Sequence, residues 1–276
     1  TNTLSVGTAV QAVVNYTLSL PGNENVGSVN AVVGETNDGY LNDIRGGHVT
    51  GGHVFSAIEK ARGGVMEQGC VGAGTGTRCL GFKGGIGTAS RTLPESMGGW
   101  SVGVLVQSNF GGILRVNGAP VGRELERFSY QKSAAAEGEE GSCMIVVATD
   151  APLLARNLKR LAGRAILGLV RCGGFCSNGS GDYVIAFSVY EKNRTPHKSR
   201  RAVSDKVTLR NGAVSPLFLA AVEAVEEAVL NSLFAAHTTS GYRGRQSRGL
   251  PKKKVLSICR KYNVLDWSKK LPPGVK

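Results

Sequence analysis

"GSCMIVVATDAPL", Gly141–Leu153, is the stretch on which the fold turns. Met144–Ala148 is continuously apolar and rich in β-branched residues, so it reads as a core strand with both faces buried. Asp150-Ala151-Pro152 reads as a helix opening, with an acid at the N-cap and a proline in the first turn. The stripe Leu154, Leu158, Leu161, Ala165 and Leu169 then gives that helix one apolar face. Before the strand comes Arg123–Gly141, a polar segment rich in alanine and glycine that ends in "AAAEGEEG". Such a connection inside a compact domain is a functional or a disordered segment. Gly141-Ser142 therefore stands where a linker meets a core strand. The serine either ends a loop or becomes a new N-terminus when the chain is cut there. On pattern alone the loop-ending reading stands ahead.

Working outward, strand-like runs occur at Ser28–Val33, Trp100–Gln107 ("WSVGVLVQ") and Tyr183–Tyr190 ("YVIAFSVY"). Val6, Val10, Val13 and Val14 space a short helix near the start. A second helix runs from Thr50, its N-cap, to Arg62, with Gly63-Gly64 as its stop. The last opens at Ser215-Pro216 and carries Leu217, Ala221, Val225, Ala228 and Leu233 on one face. Strands and long helices mix without strict alternation, which predicts an α+β layered sandwich.

The chain has 276 residues, enough for a substantial core, and a net charge of +13. From Gly241 to Lys276 there are eleven Lys/Arg against one acid, Asp266, so +10 belongs to that end and +3 to the rest. This reads as a solvated basic tail and argues against a nucleic-acid partner. The six cysteines (Cys70, Cys79, Cys143, Cys172, Cys176, Cys259) show no C-x-x-C spacing. They read as reduced thiols in a cytoplasmic compartment. No signal peptide or membrane-spanning run is visible.

The glycine-rich run Gly72–Gly87 lacks the ending of a phosphate loop and reads as turns and close packing. His48 and His53 are five apart, the wrong spacing for two ligands on one helix face. His197 sits in a basic loop and His237 at a helix end, so no histidine is placed as base for a serine nucleophile. A serine at a new N-terminus would carry its own base, the free α-amino group, whose ordinary pKa is about 7.7–8.0. Cys143 is the rival nucleophile, but successive strand residues face opposite sides, so only one of the pair enters a given site. Ser180 and Asp182 in "NGSGD" read as turn chemistry or as a hydroxyl and a carboxylate delivered beside the Ser142 strand. Asn109 reads as a turn residue or as an amide donor for an oxyanion.

At these residues the chain resembles the L-aminopeptidase/D-amidase-esterase family, self-processing enzymes of the DmpA type that include the β-peptidyl aminopeptidases. The matching pieces are "TNTLSVG", "ETNDGYLNDI", "HVTGGHVFSAI", "KGGIGTASR", "VGVLVQSNFG", "GSCMIVVATDAPL", "NGSGDYVIAFS" and "SPLFLAAVEAVEEAVLNSL", in the family's order from residue 1 to about Pro251. The resemblance implies a four-layer αββα sandwich, similar to the N-terminal-nucleophile hydrolases but differently connected. It implies a single hydrolase domain over 1–251, cleaved between Gly141 and Ser142 into chains 1–141 and 142–276, with 252–276 as a basic tail. It implies Ser142 as nucleophile, Asn109 as the oxyanion-stabilising asparagine, and Ser180 with Asp182 as the serine–acid pair that orients the nucleophile. It implies a peptide or amino-acid amide as substrate, no metal or cofactor, no membrane, and a homo-oligomer of processed pairs.

Two departures stand out. The family has a further N-terminal region before "TNTLSVG", contributing strands and part of the substrate pocket. Its E-T-Y-D-G-W becomes Glu35-Thr36-Asn37-Asp38-Gly39-Tyr40 here, so Asn37 replaces a tyrosine of the substrate pocket. Two other readings accompany the hydrolase: a catalytically silent, shortened family member, and an acyltransferase of the ornithine-acetyltransferase type. The latter uses a threonine nucleophile, which speaks against it.

Overall fold

The computed structural model describes residues 1–131, 141–195 and 202–266. In chain order the elements are helices α1 (Val6–Ser19) and α2 (Gly51–Glu59), and strands β1 (Arg78–Cys79), β2 (Phe82–Lys83), β3 (Gly85–Thr92) and β4 (Ser101–Asn109). Next come α3 (Val121–Glu124), β5 (Gly141–Thr149), α4 (Ala155–Arg171), β6 (Ser180–Ser188) and α5 (Ser215–Ala235). Last are β7 (Thr239–Ser240), β8 (Gln246–Ser247) and α6 (Lys252–Lys261). The class is α+β, as the sequence reading expects.

The main sheet has the order β3-β4-β5-β6. Its first two pairings are antiparallel and β5–β6 is parallel. A parallel pair needs a crossover, and α4 supplies it. α4 and α5 cover one face, burying Val104 and Val106 of β4 and Cys143, Ile145 and Val147 of β5 against Leu161, Leu169, Val225 and Val229. α5 rides very close to β3. A Cβ on Gly87 would lie 1.8 Å from the Ala228 carbonyl oxygen, so glycine is required there. On the opposite face Leu105, Val146 and Ile185 are half-buried and Phe187 is exposed. One end of that face is covered by the segment around Thr36, where the Gln107 side-chain amide donates to the Thr36 hydroxyl and to the Thr1 carbonyl. Among the described residues, the sandwich layers present are the α4–α5 layer and this sheet; the remaining strands are two-residue ribbons.

Several expectations change. Ser28–Val33 forms no strand: among the described residues nothing pairs with it, and Val32 is 73% exposed. The α4 helix starts at Ala155, not at Asp150. The Asp150 carboxylate accepts from the Ser101 amide at 2.7 Å and so caps a strand, not a helix. The "KGGIGTASR" glycines lie largely in β3, because small residues let the strand and α5 meet. The basic end is not wholly a solvated tail: Lys252–Lys261 is a helix with Val255, Ile258 and Cys259 buried. Its lysines are the outer face of an amphipathic helix. Glu137–Glu140, His197 and the lysines beyond Asp266 lie outside the described residues. Among the described residues no helix is long and apolar enough to cross a membrane.

Candidate active site

β5 begins at the predicted cut. Gly141 and Ser142 are its first residues, lying between Asn109 at the end of β4 and Ser180–Gly181 at the start of β6. Ser142 is directly opposite Asn109 in the antiparallel pair. Directly opposed residues share a face, with Cβ atoms about 4.5–5.5 Å apart. Both are largely buried, at 7% exposure. Glycine precedes the serine for a steric reason: a Cβ on Gly141 would come 2.9 Å from the Phe110 Cα and 3.2 Å from the Asn109 carbonyl oxygen.

The Asn109 amide is held at both ends. Its Oδ1 accepts from the Arg78 backbone N–H at 3.0 Å, and its Nδ2 donates to the Asn37 carbonyl at 2.8 Å. A carboxamide nitrogen has two hydrogens, so one remains for a further acceptor. Asn37 thus joins the site through its backbone. Its side chain is turned to its own loop, accepting from the Gly39 N–H at 3.0 Å.

Ser180 and Asp182 are not a turn but the start of β6. Register pairs Ser180 with Gly141, Gly181 with Ser142 and Asp182 with Cys143. A Cβ on Gly181 would sit 3.8 Å from the Ser142 Cβ, so these two share a face. Alternation then places Ser180 and Asp182 on the other face, beside the Gly141 and Cys143 positions. The Ser180 Oγ is buried without a hydrogen-bond partner, and the buried Asp182 carboxylate has only the weakly donating Cys176 thiol beside it. Buried polar groups left without a strong partner are costly.

Cys143 is fully buried against the helices. Burial, then the charges of Cys79 and Asp182, push its thiol well above the ordinary range. Burial likewise pushes the Cys79 thiol up to about 12. A protonated, enclosed thiol is a poor nucleophile; Cys143 faces the helices while Ser142 faces Asn109. His53 is occupied in a capping box with Thr50, its Nδ1 accepting from the Thr50 N–H at 3.1 Å. Burial pushes the Asp38 carboxyl up, partly offset by the hydrogen bonds from Asn42.

Tyr183 escaped the sequence reading. It lies on the Ser142 face of β6, and its phenol donates to the Glu35 carbonyl at 2.6 Å and accepts from the Glu35 N–H. This fastens the segment carrying Asn37 to the sheet. The signal was present, since Tyr183 alternates with Gly181 in "GSGDY". A cavity of about 940 Å³ lies between α1, α2 and the Gly72–Gly76 loop, lined by Ala9, Val13, Val54 and Ile58 among others. None of Ser142, Asn109, Ser180 or Asp182 lines it.

A mixed four-stranded sheet covered by two long helices defines the class, an α+β layered sandwich. Residues 1–247 match the model of "Peptidase family S58", and the chain belongs to that family. It is 42% identical over 287 residues to the beta-peptidyl aminopeptidase BapA of Sphingosinicella microcystinivorans, an alignment covering 98% of this chain and 70% of that one. The PH0078 protein of Pyrococcus horikoshii OT3 superposes with a TM-score of 0.85 at 45% identity, covering 96% of this chain and 72% of the other. The L-aminopeptidase D-Ala-esterase/amidase of Ochrobactrum anthropi, described as a new variant among the Ntn hydrolase fold, superposes with a TM-score of 0.83 at 34% identity. There the coverage is 96% of this chain and 73% of that one.

Proposed function

We propose that this aminopeptidase uses Ser142 as its nucleophile after cleaving its own chain between Gly141 and Ser142. The observation that carries the reading is the direct pairing of Ser142 with Asn109. In the processing step the Ser142 Oγ attacks the Gly141 carbonyl carbon. The C–N bond breaks, the nitrogen takes the hydroxyl proton, and water hydrolyses the resulting ester. Chain 1–141 then ends in a carboxylate and chain 142–276 begins with a free amine. In turnover the same oxygen attacks the first carbonyl of a peptide, amide or ester, and the α-amine accepts its proton. The free Nδ2 hydrogen of Asn109 meets the developing oxyanion. Collapse expels the leaving amine with that proton, and water hydrolyses the acyl-enzyme. Ser180 and Asp182, on the Gly141 face, receive the new amine, a strong donor for a hydroxyl without a partner and a carboxylate that otherwise has only the Cys176 thiol. No step requires a metal.

Intact-mass measurement tests this directly. The parent is expected as two fragments split before Ser142, hydrolysing amino-acid p-nitroanilides, and Ser142→Ala as one inactive chain. An uncut but active parent, or an active Ser142→Ala, overturns the assignment.

A further inference from the structure

Around Arg78, whose backbone holds Asn109, the chain gathers arginines that the reaction does not use. The Arg78 backbone N–H holds the Asn109 side chain, and the Arg78 guanidinium lies 3.9 Å over the Tyr40 ring. Arg245 stacks on the same ring at 5.4 Å and donates to the Gly39 carbonyl at 3.4 Å. Arg248 is tied in through its carbonyl, which accepts from the Lys83 N–H at 2.8 Å. Arg127 lies 5.2 Å over Phe82, the residue before Lys83. Burial, then the positive charges of Arg248 and Arg78, lower the Arg127 guanidinium's affinity for its proton, so these cations feel one another. Among the described residues no carboxylate forms an ion pair with any of the four.

Like charges held together by aromatic faces and backbone, with no acid between them, form a built field for an anion. An aminopeptidase substrate is itself polarised. Its ammonium sits on the residue that is removed, and its carboxylate lies on the leaving side. A cationic rim next to the oxyanion amide repels the first and attracts the second. We infer that Arg78, Arg127, Arg245 and Arg248 form a subsite for a carboxylate on the leaving-group residue. The favoured substrates are then short peptides, above all dipeptides with a free C-terminus. This rests on the Ser142 site and deepens it by giving a substrate class. Guanidinium pairs planar carboxylates bidentately, which suits that ligand.

The test compares, on the full chain, a dipeptide, its C-terminal amide, and a dipeptide amide with glutamate in the second position. The parent is expected to favour the free acid over the amide in kcat/KM by about tenfold or more, chiefly through KM, and less at high salt. Arg78→Gln combined with Arg248→Gln is expected to collapse that preference, and a fold defect cannot mimic this because it lowers both substrates together. The glutamate amide tells a main-chain carboxylate from a side-chain one. The acid and the amide are also compared as ligands by titration calorimetry, which needs no turnover. An acid-to-amide ratio unchanged by the arginine substitutions, or equal affinities for the two ligands, overturns the subsite. Activity surviving Ser142→Ala while the ratio still shifts overturns the nucleophile assignment instead.

Discussion

Asn109→Asp separates chemistry from scaffolding. Aspartate has nearly the same shape and keeps an oxygen for the Arg78 N–H, now 3.0 Å from Oδ1. It loses both amide hydrogens. Its second oxygen is set against the Asn37 carbonyl, 2.8 Å from where Nδ2 stood, and neither can donate. Losing that bond and facing two acceptors costs about 1–3 kcal/mol of stability. That corresponds to a fall in Tm of about 2–4 °C for each kcal/mol in a chain of this size. The chemical effect is larger. Removing one oxyanion donor costs about 10²–10³ in kcat, or ~2.7–4 kcal/mol, before any repulsion between carboxylate and oxyanion. KM is expected to move little, because the lost contact belongs to the transition state. Intact mass gives the cut fraction, kcat and KM are referred to it, and a thermal melt gives the stability change. A cut enzyme whose kcat falls by less than about tenfold would refute the oxyanion role.

Ending the chain after Pro251 removes α6, which buries Val255, Ile258 and Cys259 and positions Lys261 and Tyr262 on Glu124. Roughly 4.5–9 kcal/mol of apolar burial is lost at about 1.5–3 kcal/mol for each of the three side chains, so the melt should fall steeply or the protein become insoluble; an unchanged melt restores the solvated-tail reading. Native alkylation at alkaline pH should label Cys176, which is exposed although burial and Asp182 raise its thiol too, and spare Cys79, Cys143 and Cys172, which are buried. Peptide mass mapping checks this, and early labelling of Cys143 would bring back the rival nucleophile.

Long elements were legible because their patterns are strong. α5 shows its stripe over 21 residues, and β4 and β5 are dense in valine. β3 was hidden because its sequence, "GIGTASRT", is chosen for close approach to α5 and not for apolar content. α6 was hidden because the same lysines that face water dominate its composition, and only Val255, Ile258 and Cys259 betray a buried side. At the site, Ser142, Asn109, Ser180 and Asp182 could be named but not arranged. Register across three strands is a long-range property, and "NGSGD" is rich in turn-forming residues. Arg245 and Arg248 were counted only as net charge, since nothing local places them beside Tyr40.

In the proposed mechanism, the register lets one residue supply both nucleophile and base. In an uncut strand the Ser142 Oγ faces Asn109, while the backbone just before it lies next to Ser180. The proposed cut would leave the Asn109 side untouched and free the Ser142 amine beside Gly141, the residue that pairs with Ser180. The amine of a serine is one bond from its Cα and the hydroxyl oxygen two, so proton transfer between them needs no second side chain. A histidine on a neighbouring element would have to displace the residues that hold either face. Alternation along a strand normally sorts core from solvent. At the head of β5 it puts Ser142 on the Asn109 face and Cys143 on the helix face, and the proposed mechanism gives the two faces different tasks.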